Sequence, residues 1–232
     1  MPIGILIDSA AILSGGIIGT ALGKGLPERL VKTLSVVFAL SAITIGISMI
    51  PSVSQLSAVI LALIIGTTVG EGLSLNARVA SVSNRLNAFC QKKFHTQRAD
   101  IGTFVNIVIM LSISGYGIFG ALSEGFAGNH TPLLVKALLD FFTVLCFATS
   151  LGKILICAFI PQFTVYILIF FSSTLIMPFI TAEVMGDLSA CAGVITLATG
   201  LNLLFDREIP TVSMLPSLIL VVPLSLLWAN IM

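Results

Sequence analysis

The sequence predicts an all-α, polytopic bundle of about eight transmembrane helices, forming a single membrane domain over residues 1–232. Three observations carry this expectation. Hydrophobic residues make up 57% of the chain and charged residues 9%, against about 25% charged in a soluble domain. The apolar residues fall into eight segments of spanning length. The basic residues fall into alternate loops between them. A net charge of +1 gives no basic field for nucleic acid, and the lipid bilayer is the expected partner.

A spanning helix needs about 20 mostly apolar residues, because each adds about 1.5 Å across a hydrocarbon core of about 30 Å. The first segment is Ile3–Leu22, the second Thr33–Ile50, ended by Pro51, and the third Ser54–Gly72. Met1–Gly23 lacks a basic leading region, so it reads as a retained helix. The fourth segment is Ile101–Leu122, and the fifth is Pro132–Gly152, with Pro132 suited to a helix start. Ile154–Ile180 is the sixth, long enough to tilt or to kink at Pro161 and Pro178. Leu188–Phe205 and Val212–Ile231 complete the set. Only Gly152 and Lys153 separate the fifth from the sixth, so a count of seven with a broken piece stays open.

Ten of the eleven Lys and Arg residues lie in the loops after segments one, three, five and seven. The other loops carry Glu124, Glu183 and Asp187 and no basic residue. Cytoplasmic loops collect Lys and Arg, so the pattern predicts both termini outside and the basic loop 73–100 in the cytoplasm. In that loop Leu75, Val79, Val82, Leu86 and Phe89 form a helical stripe, readable as an amphipathic surface helix or as part of a plain basic topogenic loop. A gapless alignment of Thr33–Ile50 with Asp187–Leu204 matches Leu-Ser and matches Gly46 with Gly200. Those helices would run in opposite directions, a possible inverted repeat. A second echo, Leu6-Ile7-Asp8 with Leu138-Leu139-Asp140, joins two parallel helices instead.

An ionisable group in hydrocarbon costs roughly 2.5–3.5 kcal/mol on insertion scales and is a functional candidate by default. Lys136 and Asp140 stand four apart on the fifth helix and so share a face. Asp140 sits about 12 Å along that helix. Such a pair inserts nearly neutral, either as a structural ion pair or as a site that exchanges one partner for a proton, cation or anionic solute. Asp8 lies at a similar depth on the first helix, Glu71 near the inner end of the third, and Glu124 just after the fourth. Asn106 and Asn202, near the inner ends of the fourth and seventh helices, suit solute contact or interhelical hydrogen bonding. Gly15, Gly19 and Gly23 form one groove on the first helix, and Gly66 and Gly70 do the same on the third. Grooves of this kind let helix backbones touch in lipid, and a homo-oligomer is one use for them. Gly115, Gly117 and Gly120 crowd the outer half of the fourth helix and are expected to break it.

Other chemistry finds little support. His95 and His130 fall in loops on opposite sides, too far apart to share a metal or a catalytic triad. Cys90, Cys146, Cys157 and Cys191 have no metal-ligand spacing. The chain has no phosphate loop and no dinucleotide fingerprint, so no cofactor is expected. The carboxylates are too scattered for an enzyme of lipid-linked substrates.

Several stretches carry a family resemblance. They are Gly15-Gly16 through Gly19, Leu26-Pro27-Glu28-Arg29, Gly117-Ile118-Phe119-Gly120-Ala121 with Glu124-Gly125, and Leu139-Asp140-Phe141-Phe142 with Ser150-Leu151-Gly152. Thr199-Gly200-Leu201 and Met214-Leu215-Pro216 complete them. In these the chain resembles, over nearly its whole length, the YqgA/YdfK group of bacterial membrane proteins, catalogued as domain of unknown function 554. The resemblance implies a multi-pass protein of the bacterial inner membrane and brings no substrate with it. Some relatives have Asn where this chain has Asp8, so Asp8 is not carried over as an essential ligand.

Together these features predict a transporter or channel-like permease for a small polar solute or ion, with Asp140 central and Lys136 its exchangeable partner. The rival expectation is a non-transporting membrane partner or sensor that docks through the loop 73–100.

Overall fold

In the computed structural model, the described residues are 1–23, 26–79, 81–82, 85, 98–176, 180–205 and 209–231. They form α1 (Ile3–Leu22), α2 (Glu28–Met49), α3 (Leu56–Gly72), α4 (Arg98–Ser112) and α5 (Gly115–Ala127). After these come α6 (Thr131–Leu151), α7 (Phe159–Ile176), α8 (Ala182–Phe205) and α9 (Ser217–Ile231). Short 3-10 turns, Ile50–Ser52 and Gly152–Ala158, follow α2 and α6. Among the described residues there is no strand. Because α4 and α5 are two halves of one apolar stretch, Thr103–Ala127, the helices make eight rods. Among the described residues, five apolar helical stretches are long enough to cross a membrane; the 43-residue stretch Thr131–Ser173 is divided by the turn at Gly152, and α3 and α9 are shorter.

The bundle presents apolar side chains outward and charge inward. Leu138, Leu168 and Ile219 are 65%, 61% and 72% exposed, whereas Asp8 and Asp187 are 0% exposed. Water would not tolerate such an exterior; a bilayer would.

Close backbone contact fixes the neighbours. A Cβ on Gly15 of α1 would lie 2.6 Å from the Phe141 carbonyl of α6, and one on Gly19 would strike the Leu145 carbonyl. The paired positions rise together, so α1 and α6 run parallel. Gly46 of α2 and Gly193 of α8 face each other, each leaving room for the other's carbonyl, while Gly200 packs on Ala39 and Ile43. That pair is antiparallel, and it is the pair the internal alignment joins. Gly66 and Gly70 of α3 lie against the backbone of Ser217 and Ser213, at and just before the start of α9. Gly23 departs from the expected groove. It faces open space and ends α1 at φ 55°, a conformation suited to glycine.

Helix ends also differ from expectation. α2 begins at Glu28 rather than Thr33, since Pro27 supplies an extended residue from which a polar first turn can start. α8 starts at Ala182 rather than Leu188, because the Thr181 hydroxyl accepts the Val184 N–H and extends the helix beyond its apolar stretch. Gly152, at φ 69°, turns the chain after α6, and the 3-10 turn and α7 then run back along α1: Ile156 of the turn meets Gly16 and Gln162 of α7 meets Ser9. The fifth and sixth segments are therefore separate rods. Pro161 sits in the first turn of α7, where it starts the helix rather than kinking it. Pro178 lies outside the described residues, as do Lys24, Cys90, Lys92, Lys93, His95 and Arg207. Leu86 and Phe89 of the expected loop stripe lie there too.

With this alternation, the exposed residues Arg29, Lys32, Arg78, Arg85 and Lys153 fall on one end of the bundle. Glu124, His130, Glu183 and Asp187 fall on the other.

Replacing Gly15 or Gly19 with Val is expected to force α1 away from α6 and to destabilise the protein by about 1–3 kcal/mol. Gly72 has open space around it, and Gly72→Ala should change stability by less than about 0.5 kcal/mol. Thermal unfolding of the detergent-purified variants checks both.

Candidate functional site

The parallel contact of α1 with α6 sets Asp8 level with Lys136. Lys136 Nζ binds the Asp140 carboxylate one turn further along α6 and lies 3.7 Å from Asp8 Oδ2. All three are buried. Gln162 of α7 completes the group, its Nε2 donating to Asp8 Oδ2 at 2.8 Å while its Oε1 accepts from the Ser9 hydroxyl at 2.8 Å. Among the described residues, Asp8 Oδ1 has no hydrogen-bond partner. Fully ionised, two carboxylates and one ammonium leave this cluster one negative charge in excess.

Beside the cluster the fourth rod breaks. α4 ends at Ser112 and α5 begins at Gly115, with Ser114 extended between them and its hydroxyl accepting the Gly117 N–H at 3.1 Å. The break comes before the three glycines rather than within them, because Ser114 supplies the N-cap that a new helix needs. Breaking a helix frees carbonyls at its end. Tyr166 answers one of them, its hydroxyl donating to the Leu111 carbonyl at 2.7 Å. The same ring lies 5.4 Å from Lys136 Nζ, a cation–π distance. Gly117 makes the arrangement possible, since a Cβ there would collide with the Tyr166 hydroxyl and lie 2.7 Å from Lys136 Cε.

A small cavity of about 80 Å³ opens onto Lys136, Asp140, Ser114, Thr143, Thr196 and Thr199. It shares Met110, Thr199 and Leu203 with a vestibule of about 720 Å³, lined also by Asn76, Asn106, Asn202 and Thr211. These residues belong to the end of the bundle that carries the exposed basic residues. Towards the opposite end, buried Ile5, Ala121, Leu133 and Tyr166 pack into a plug. The cluster thus lies between the cavity and vestibule on the basic side and packed apolar residues on the other.

Glu124 is part of that wall and not of the cluster. It is buried, accepts the N–H groups of Gly4 at 2.6 Å and Ile5 at 3.2 Å, and bonds His130 Nδ1 at 2.6 Å. It therefore caps α1, which has no side-chain cap of its own. Asp187 instead holds the segment just before α3, accepting the Ser54 and Gln55 N–H groups at 2.8 and 2.7 Å, and accepts the Ser225 hydroxyl at 2.6 Å. Asn202 exchanges two hydrogen bonds of 2.8 Å with the backbone of Ile209, a loop clamp at the vestibule edge. Asn106 is exposed on the vestibule wall. Glu71 is exposed near the end of α3 and lines neither space. Of the candidate pathway residues, the structure gathers Asp8, Lys136 and Asp140. Sequence reading passed over Gln162, Tyr166 and the hold of Asp187 on the segment before α3; an isolated Gln in an apolar run was the available signal for the first.

Lys136→Met is expected to cost about 3–5 kcal/mol of stability, because it strands two buried carboxylates. Asp8→Asn should cost much less, since Lys136 and Asp140 still balance and the amide still bonds Gln162. Chemical denaturation of both variants in detergent tests the order, and equal losses would contradict it.

No solved structure matches the chain. It is 37% identical over 232 residues to "Uncharacterized protein YqgA" of Escherichia coli (strain K12), covering 98% of each chain. It is 24% identical over 221 residues to "Uncharacterized membrane protein YdfK" of Bacillus subtilis (strain 168), covering 94% of this chain and 93% of that one. The family model described as "Protein of unknown function (DUF554)" matches residues 3–226, and the chain belongs to that family.

Proposed function

We propose that this chain is a small multi-pass permease, transporter or channel-like, for a small polar solute or ion. In this reading its eight rods cross the bacterial inner membrane, with the basic end of the bundle in the cytoplasm. One observation carries the proposal. A buried, charged cluster lies beside a broken helix and borders a small cavity that shares lining residues with a larger vestibule. Charge at that depth is expensive, and a static bundle gains more from apolar packing than from a buried ion pair. A site that must meet a polar solute has a reason to keep it. Lys136 and Asp140 would contact the solute directly, and Thr143, Thr196 and Thr199 line the same cavity.

The test is thermal stability of the purified protein across a panel of inorganic ions, amino acids and organic acids, for wild type and Asp140→Asn. A ligand at a hundred times its Kd adds about 2.7 kcal/mol of apparent stability. The expected result is at least one stabilising compound whose effect disappears in Asp140→Asn. Stabilisation by no compound, or equal stabilisation of both proteins, would contradict the assignment of this site.

A further inference from the structure

We propose that the Asp8–Asp140 carboxyl pair holds one exchangeable proton, making the cluster a proton-coupling site beside the solute cavity. The inference rests on the permease reading of the same site.

The charge count comes first. Asp8, Lys136 and Asp140 together carry one negative charge when fully ionised, and all three are buried. An unbalanced buried charge is costly, and one bound cation removes it. Asp8 offers the place: its carboxylate is 0% exposed and, among the described residues, its Oδ1 has no hydrogen-bond partner, where most buried polar atoms have one. The surrounding groups select which cation fits. Oδ2 of Asp8 already faces two nitrogen donors, Gln162 Nε2 at 2.8 Å and Lys136 Nζ at 3.7 Å. Those donors crowd out the shell of oxygens that a metal cation needs, and Asp8 does not line the cavity. A proton needs no such shell. Among the described residues, the other titratable groups around the pair are the phenols of Tyr166 and Tyr116 and, at the start of α1 one turn from Asp8, the Glu124 carboxylate; Phe38 of α2, Ser114 just before α5 and Thr196 of α8 are uncharged.

Loading is a single step. A proton from water entering by the vestibule forms one carboxyl O–H bond and takes the cluster from a charge of −1 to 0. Unloading breaks that bond, returns the proton to water and restores the carboxylate. Lys136 remains an ammonium throughout and changes only how it divides its bonds between the two acids.

The test is infrared spectroscopy of the full chain in lipid nanodiscs, following the carbonyl stretch of protonated carboxyl groups as pH is varied. Exposed Asp and Glu, with pKa values of about 4, are ionised above about pH 6. The expected result at pH 6 is a protonated-carboxyl band that shifts in D2O, fades as pH rises and is absent from Asp8→Asn. No band in folded wild type at pH 6 would overturn the proposal without needing any variant. A band that persists in both Asp8→Asn and Asp140→Asn would also overturn it, assigning the proton to another acid such as Glu124 or Asp187. Adding sodium chloride at fixed pH should leave the band unchanged, as choline chloride does. Loss of the band with sodium alone would replace the proton site with a sodium site. A stabilising ligand found in the panel with no infrared band would keep the permease and remove its proton. A band with no such ligand would keep the proton-binding pair and remove the solute.

Discussion

Lys136 stands on a helix whose outer surface is Leu138, Leu134 and Phe142, and its charge must be met from within the protein. Asp140 meets it from the same helix and Asp8 from α1. Much of the surrounding structure follows from that requirement. α1 must lie against α6 closely enough for Asp8 to reach, and Gly15 and Gly19 allow it. α7 must return past Ser9 so that Gln162 can fix the Asp8 carboxylate. α5 must present a glycine where the Lys136 stem and the Tyr166 hydroxyl pass. An apolar surround makes each of these demands strict, because a polar group left unmet finds no water there.

The same rule governs the helix ends. α1 and α3 begin without side-chain caps of their own; a buried carboxylate from another element caps α1, and another binds the two residues just before α3. Glu124 ties α5 to the start of α1, and Asp187 ties α8 to the start of α3. Two acids that sequence position alone marks as loop charges are therefore interhelical fasteners at one end of the bundle. At the other end the fourth rod, α8 and the segment before α9 stand around a vestibule whose wall includes Asn106, Asn202 and Thr211. The two ends therefore differ in packing, with a cavity and vestibule on one side of the cluster and buried apolar residues on the other.

The rods and the Lys136–Asp140 pair were legible in the sequence because both depend on local spacing: runs of apolar residues, and two charges one helical turn apart. The grooves at Gly15, Gly19, Gly66 and Gly70 were legible for the same reason. Gln162 and Tyr166 were not, since their roles arise from contacts with Asp8 and Leu111, 154 and 55 residues away. The glycines forecast a break in the fourth rod, but its place was set by Ser114, a capping residue hidden among apolar neighbours. Glu71 and Glu124 looked alike as carboxylates near helix ends. Only packing separates them, one exposed and one holding the first turn of α1.

The central claim is that water reaches the cluster from the basic end of the bundle and is excluded from the other. Cysteine accessibility in native membranes tests it directly, using Thr199→Cys and Ala121→Cys in a background lacking the four native cysteines. Thr199 lines both the cavity and the vestibule, and Ala121 belongs to the plug. A membrane-impermeant thiol reagent should label Thr199→Cys only in vesicles that expose the basic loops, and should leave Ala121→Cys unlabelled in either orientation. Labelling of Ala121→Cys with none at Thr199→Cys would contradict the account.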